Sequence, residues 1–286
     1  MAIIAFWSDE KKETGQTLSM AAITTYMAIE HNYKILNITT NFKDNTLEDC
    51  YWDNRININA PPIKGVIENN NPNVSAIGFD SGVEGLAKVI RSNKTTPNIV
   101  SNYTKVVFNG RLDVLCSPQT REYSEYKEIA KMYPEILSTA NRHYDLVFVD
   151  VSKRMDKEDV NNILEIADLV VANITQRQTI IHKFYELRES NQFFKNNNVL
   201  INIGRYDKFS KYNEKNISRY IGMKRGVLAI PYNTLFFESC SDGKVADFFL
   251  RLRNIGVEDR NQHFISEVDK FSKELIYKLQ ELQIKM

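Results

Sequence analysis

The chain enters its first helix through Ser8-Asp9-Glu10-Lys11-Lys12-Glu13-Thr14-Gly15-Gln16-Thr17-Leu18-Ser19. Residues 3–7, Ile-Ile-Ala-Phe-Trp, precede it and read as a buried strand. Residues 18–30 follow it and read as a helix, largely apolar at Met20, Ala21, Ile23 and Ala28. A strand–loop–helix unit of this kind holds a phosphate when backbone N–H groups wrap the anion and a lysine reaches its outer oxygens. It also needs a Ser/Thr hydroxyl for Mg²⁺ and the positive end of a helix. Gly15 and Thr17 stand at the Gly and Ser/Thr places, and Gln16 at the lysine place. A glutamine amide donates but carries no charge, so about one unit of phosphate neutralisation is missing. Taken alone, the loop reads as an ordinary turn capped by Thr17. Its surroundings change that reading.

Outward from this unit, strand and helix patterns alternate to the end of the chain. Strands are expected at 34–39, 112–116, 145–151, 169–173, 199–203 and 226–230, and helices at 82–92, 124–142, 157–166, 179–190 and 212–221. Residues 61–80 read as a loop, broken by Asn69-Asn70-Asn71-Pro72-Asn73. Near-continuous Val/Ile/Leu strands separated by helices predict an α/β fold: a doubly wound, mostly parallel sheet flanked by helices on both faces. With no linker or repeat in view, residues 1–286 are expected to form one domain with a C-terminal helix at about 262–286. Ligands in such sheets sit beyond the carboxyl ends of the strands.

Composition narrows the function. The 286 residues carry 37 basic and 36 acidic side chains, a net charge of +1, which excludes wholesale polyanion binding. No apolar run approaches the length of a membrane span, and Met1-Ala2-Ile3-Ile4-Ala5-Phe6-Trp7 reads as a strand rather than a signal peptide. Cys50, Cys116 and Cys240 are odd in number and far apart, against a disulfide framework and in keeping with a reducing cytoplasm. His31, His143, His182 and His263 are scattered, which leaves a zinc or histidine-centred hydrolase without its groups.

In this setting the first loop resembles that of the ParA/MinD family of deviant P-loop ATPases, which reads Lys-Gly-Gly-Val-Gly-Lys-Thr. Lys11 falls at the family's signature lysine, Gly15 at its last glycine, Gln16 at the lysine and Thr17 at the Mg²⁺ ligand. Lys12 and Glu13 stand where the family has two glycines. The block 143–150 resembles its second acidic strand, with Asp150 as the residue that holds Mg²⁺ through water. Ala167-Asp168-Leu169-Val170-Val171 resembles the packing block that follows. Leu200-Ile201-Asn202 resembles the strand whose Asn reads adenine, and Ile230-Pro231-Tyr232-Asn233 the turn that lines the base, with Gly243 downstream. The resemblance implies a pocket of Lys11, Thr14, Gly15, Gln16, Thr17, Leu18, Asn202 and Pro231, with Thr17 and Asp150 on the metal. It implies ATP or ADP with Mg²⁺ as cofactor. It also implies a nucleotide-dependent homodimer in which Lys11 reaches the partner's phosphates, within a larger protein assembly.

One departure bears on chemistry. The family's switch after its second strand carries Asp-x-Asp, and the matching residues here are Thr39-Thr40-Asn41. With Gln16 at the lysine place, the expectation is a nucleotide-binding organiser with little or no hydrolysis, similar to the TadZ/CpaE branch that localises pilus or secretion machinery. An active ATPase for DNA partition, conjugation or cell-division positioning and a nucleotide-free scaffold stay open beside it. Residues 205–225 hold Arg205, Lys208, Lys211, Lys215, Arg219, Lys224 and Arg225 among Tyr206, Phe209, Tyr212 and Tyr220. That stretch is either a solvated surface or a contact for DNA or an anionic membrane. The expected location is the cytoplasm, with the membrane or nucleoid as peripheral sites. The tail places Phe264, Val268, Phe271, Leu275 and Leu279 at helical spacing, which predicts packing on the sheet or on a partner helix rather than in lipid.

Overall fold

The computed structural model describes residues 1–10, 14–53, 82–92, 96–195 and 198–285. Lys11, Lys12 and Glu13, and the loop expected at 61–80, lie outside the described residues.

β1 (Ala2–Trp7) leads into α1 (Gln16–Glu30), and β2 (Ile35–Thr39) into the short α2 (Thr46–Asp49). α3 (Gly82–Arg91) and a 3-10 turn (Pro97–Tyr103) precede β3 (Lys105–Phe108) and β4 (Leu112–Leu115). Then come α4 (Tyr123–Ala130), α5 (Tyr133–Ala140), β5 (Leu146–Asp150), α6 (Lys157–Ile166) and β6 (Leu169–Ile174). α7 (Gln178–Ser190), α8 (Gln192–Lys195) and β7 (Val199–Tyr206) follow, then α9 (Glu214–Ile221) and β8 (Val227–Pro231). The chain closes with α10 (Thr234–Ser241), α11 (Val245–Arg251) and α12 (Gln262–Lys285).

The eight strands form one sheet in the order β3-β4-β2-β5-β1-β6-β7-β8, parallel except where β3 runs against β4. The strands are apolar on both faces because both faces are covered. Along β1, Ile3 and Ala5 join the core under α3–α9, while Ala2, Ile4 and Phe6 join the core under α1, α2 and α10–α12. That is the two-residue period of a pleated strand. α1 is buried almost all round because the sheet lies under it and α11 and α12 lie against it.

The helix expected over 124–142 is two helices. Pro134 has no N–H to return to Ala130 and its ring crowds that turn, so the chain breaks at Lys131-Met132 and restarts with Pro134 in the first turn of α5. β3 was not expected, although Asn109-Gly110 carries the usual hairpin signal, with Gly110 at φ 70°. α9 starts at Glu214 rather than at residue 212, because the Asn213 side chain caps it by accepting from the Asn216 N–H at 3.0 Å. The tail helix packs on β8 and α1, burying Phe264, Val268, Phe271, Leu275 and Leu279. Among the described residues, no helix is long and apolar enough to cross a membrane.

Candidate functional site

The sheet changes direction of growth at its centre. From β1 the chain moves past β5 to β2, and from β5 it crosses β1 to reach β6. A crevice opens where the order reverses, at the carboxyl ends of β1 and β5. Register places Phe6 of β1 and Thr39 of β2 on either side of Asp150, the last residue of β5. The loop before α1 and the acid of β5 therefore meet by topology.

Asp150 is fully buried, and donors from Gln16, Thr17, Thr40 and Asn41 converge on it. Gln16 Nε2 donates to Oδ1 at 2.6 Å, and the Thr17 hydroxyl donates to Oδ2 at 2.7 Å. Asn41 Nδ2 donates to Oδ2 at 3.0 Å, and the Thr40 N–H to the backbone carbonyl at 3.0 Å. Burial pushes the carboxyl up from its ordinary range, while the bonds from Thr17 and Gln16 pull it back. The Asn41 amide faces a carboxylate, so an aspartate at this position would meet like charge.

Gln16 points into the protein. Its Nε2 also lies 3.0 Å from the Phe6 carbonyl and 2.9 Å from that of Val151, so three acceptors surround a nitrogen with two hydrogens. Its Oε1 is buried without a partner. No amide donor from this side chain faces outward toward a ligand at the head of α1. There Gly15 takes the left-handed conformation, φ 73°, and no side chain caps the helix. The first-turn N–H groups are thereby left for another acceptor.

The loop is anchored on both sides. Lys153, from the β5–α6 connection, donates to the Thr14 hydroxyl at 3.2 Å. On the other side Gly204 of β7 lies under the Thr14 carbonyl, so close that a Cβ there would be 2.0 Å from that oxygen. The next residue, Arg205, is the bulge of the β7–β8 pairing, at φ 53°, and its Cγ lies where a Cβ on Gly15 would meet it at ordinary van der Waals distance. Gly15, Leu18, Ser19, Arg205, Pro231, Tyr232 and Phe237 help line a shallow cavity of about 30 Å³.

The expected site residues thus divide. Thr14, Gly15, Gln16 and Thr17 come together with Asp150, and Gly15, Leu18 and Pro231 share the cavity wall. Asn202 does not line the cavity. It is fully buried within β7 and donates to Asn173 Oδ1 at 2.7 Å, while its own Oδ1 has no partner. Its position in the middle of the strand, three residues before the bulge, keeps it inside the sheet. Lys11 lies outside the described residues. Sequence reading did not single out Lys153 or Gly204 and took Arg205 only as part of a basic stretch. A glycine followed by arginine at a strand's carboxyl end was the available signal for the last two.

No family model matches the sequence, and no curated protein matches it. Solved structures do. The ParA family ATPase of Chlorobium tepidum TLS is similar at 18% identity and TM-score 0.64, over 94% of this chain and 96% of its own. The fold is that of the ParA/MinD ATPases. MinD of Pyrococcus horikoshii OT3, complexed with Mg-ADP, is similar at 12% identity and TM-score 0.61, over 97% and 98% of the two chains. A proposed plasmid partition protein of Borrelia burgdorferi B31, bound to AMPPNP, gives 15% and 0.55 over 99% and 98%. At these identities the likeness establishes the ParA/MinD fold rather than activity.

Within that fold the donor set suits a magnesium nucleotide in part. A hydroxyl and a carboxylate 2.7 Å apart, Thr17 and Asp150, are the hard oxygen ligands Mg²⁺ takes. The uncapped head of α1 suits a phosphate. A cation from residue 16 is the part that is missing.

Proposed function

We propose that this chain is a ParA/MinD-like nucleotide-binding organiser that binds ATP or ADP with Mg²⁺ and hydrolyses it little or not at all. The observation that carries the reading is the inward turn of Gln16, whose amide is held by Asp150, Phe6 and Val151. Phosphoryl transfer depends on charge placed against the transferring group, and neither Gln16 nor Asn41 supplies any. A bound magnesium ion would contribute positive charge at the phosphates. In this reading Thr17 and Asp150 hold the metal, Thr14, Gly15 and Leu18 take the phosphates, and Pro231 flanks the base.

Thr17 and Asp150 in bonding contact favour bound nucleotide over a nucleotide-free scaffold. An active ATPase for partition or cell-division positioning is the second reading, and the same pair favours it. As an organiser the chain would work as a nucleotide-dependent homodimer attached to a larger assembly such as pilus, secretion or conjugation machinery. Lys208, Phe209, Lys211, Lys215, Arg219, Lys224 and Arg225 are all exposed, with Phe209 at 87%, so residues 205–225 offer DNA or an anionic membrane a basic face with aromatics.

Calorimetry with ATP and Mg²⁺, run beside a phosphate-release assay, tests the choice. Binding with turnover barely above background is expected. Robust magnesium-dependent hydrolysis, abolished by Asp150→Ala, would make the chain an enzyme.

A further inference from the structure

Phe209, in the connection from β7 to α9, is the most exposed large apolar side chain among the described residues. The turn that carries it is firmly built. Gln176, from the β6–α7 connection, fastens both ends of the turn. Its Nε2 donates to the Asp207 carbonyl at 3.0 Å and to the Tyr212 carbonyl at 2.9 Å, and its Oε1 accepts from the Asp207 N–H at 2.8 Å. Inside the turn the Asp207 carboxylate accepts from the Phe209 N–H at 2.9 Å, and the Ser210 N–H donates to the Asp207 carbonyl at 3.2 Å. Tyr212 packs on the core, with its hydroxyl donating to Gln178 at 2.8 Å. The same fastened turn thus folds one ring inward and holds the other in water.

Cations accompany the outward ring. The Lys208 ammonium stands over its face, 5.3 Å from the centroid. Asn216 of α9 donates to the Lys211 carbonyl at 2.7 Å, which ties the turn to the helix. Lys215 and Arg219 lie one helical turn apart on the exposed side of α9. Among the described residues none of these four cations meets a carboxylate, whereas Glu214, the single acid of α9, is taken by Lys270 at 2.9 Å.

We propose that the Phe209 turn anchors the chain to an anionic bilayer, with the ring in the acyl boundary and Lys208, Lys211, Lys215 and Arg219 on lipid phosphates. The inference rests on the basic-face reading above and names the partner which that reading leaves open. Duplex DNA would offer phosphates to the cations and leave the ring in water. A base of single-stranded DNA would find one face of the ring already covered by Lys208. A bilayer answers both parts, with headgroups for the cations and hydrocarbon for the ring. Because Gln176 and Asp207 already order the turn, insertion loses little conformational freedom. The apolar stripe of α12, by contrast, is covered by β8 and α1.

Flotation of the full chain tests the anchor, with and without ATP and Mg²⁺. The vesicles are phosphatidylcholine mixed with phosphatidylglycerol in equal parts, and phosphatidylcholine alone. The native chain should bind the mixed vesicles and far less of the neutral ones. Phe209 touches no core residue that its replacement would disturb, and Phe209→Ser should lower the affinity for mixed vesicles about tenfold. Lys208→Gln with Lys211→Gln should lower it about twenty- to thirtyfold. Phe209→Trp should bind as the native chain does and shift its added emission to the blue, a signal that adsorption through cations alone does not give. Equal affinity of the native chain and Phe209→Ser, or no such shift, would overturn the insertion. Binding to single- or double-stranded DNA and to neither vesicle would overturn the membrane proposal and leave the basic face as a nucleic-acid contact. Binding to neither DNA nor vesicles would overturn both.

Discussion

At the scale of single residues, the site is governed by a buried carboxyl whose hydrogen bonds come from uncharged groups. Because burial raises Asp150, the folded chain holds its proton more tightly than the unfolded chain does. The associated stability is complete below the ordinary value of 3.8 and is lost as pH rises through the folded value. Melting curves from pH 4 to pH 8 should therefore fall more steeply for the native chain than for Asp150→Asn, whose side chain does not titrate. Parallel curves would mean that Asp150 ionises as it does unfolded. Gln16→Lys should change the sign of this dependence. An ammonium among the three acceptors lowers the carboxyl, so the variant should gain melting temperature toward pH 8 relative to the native chain. Lysine is longer than glutamine by one bond and must bend to enter. The proximity of Gln16 and Thr17 to Asp150 follows from features visible in the sequence, the strand–loop–helix spacing and the apolar run before Asp150. The sequence did not show that Gln16 faces inward, since either direction is compatible with an amide at that position. Nor did it locate Lys153, whose relation to Thr14 depends on where the β5–α6 connection crosses the loop.

At the scale of elements, the carboxyl end of β7 shapes the site more than its middle. Asn202 was expected to read adenine through its resemblance to a family strand, yet the pleat directs it to Asn173 and Asn173 in turn to the Trp7 carbonyl at 3.2 Å, a polar line across three strands. The bulge three residues later turns Arg205 toward Gly15 and leaves Gly204 as the seat of the loop. Gly204→Ala should therefore act on the loop through overpacking, costing about 1–3 kcal/mol in urea unfolding. It should also weaken nucleotide binding, since Thr14 and Gly15 must move. An alanine variant with native stability would show that the loop yields without resistance. The same local chemistry explains the misread elements. Pro134 divides a continuous helical pattern, and Asn109-Gly110 turns a short, half-exposed segment into an edge hairpin that hydrophobic periodicity alone does not mark.

At the scale of the whole molecule, the doubly wound sheet was the most legible feature, because buried parallel strands have a composition that few other structures tolerate. The helices on each face were legible as periodic stretches, whereas α10 and α11 were not, being short helices whose burial depends on packing against α12. The molecule as a working unit extends beyond one chain in the proposed function. Sedimentation with and without ATP should show nucleotide-promoted dimers of the native chain and none of Lys11→Ala. Equal association of both chains would leave Lys11 a solvated charge.

The cage of three acceptors around residue 16 has a genetic consequence. Glutamine and lysine codons differ in their first base alone, a C in one and an A in the other. A cluster of oxygens suited to an ammonium is thus one base substitution away from receiving it, with no other change to the fold. In a growing population such mutants arise continually. Selection for or against them in a host that depends on this protein would report, without purified components, whether a faster or tighter site is an advantage or a hazard to the process it serves.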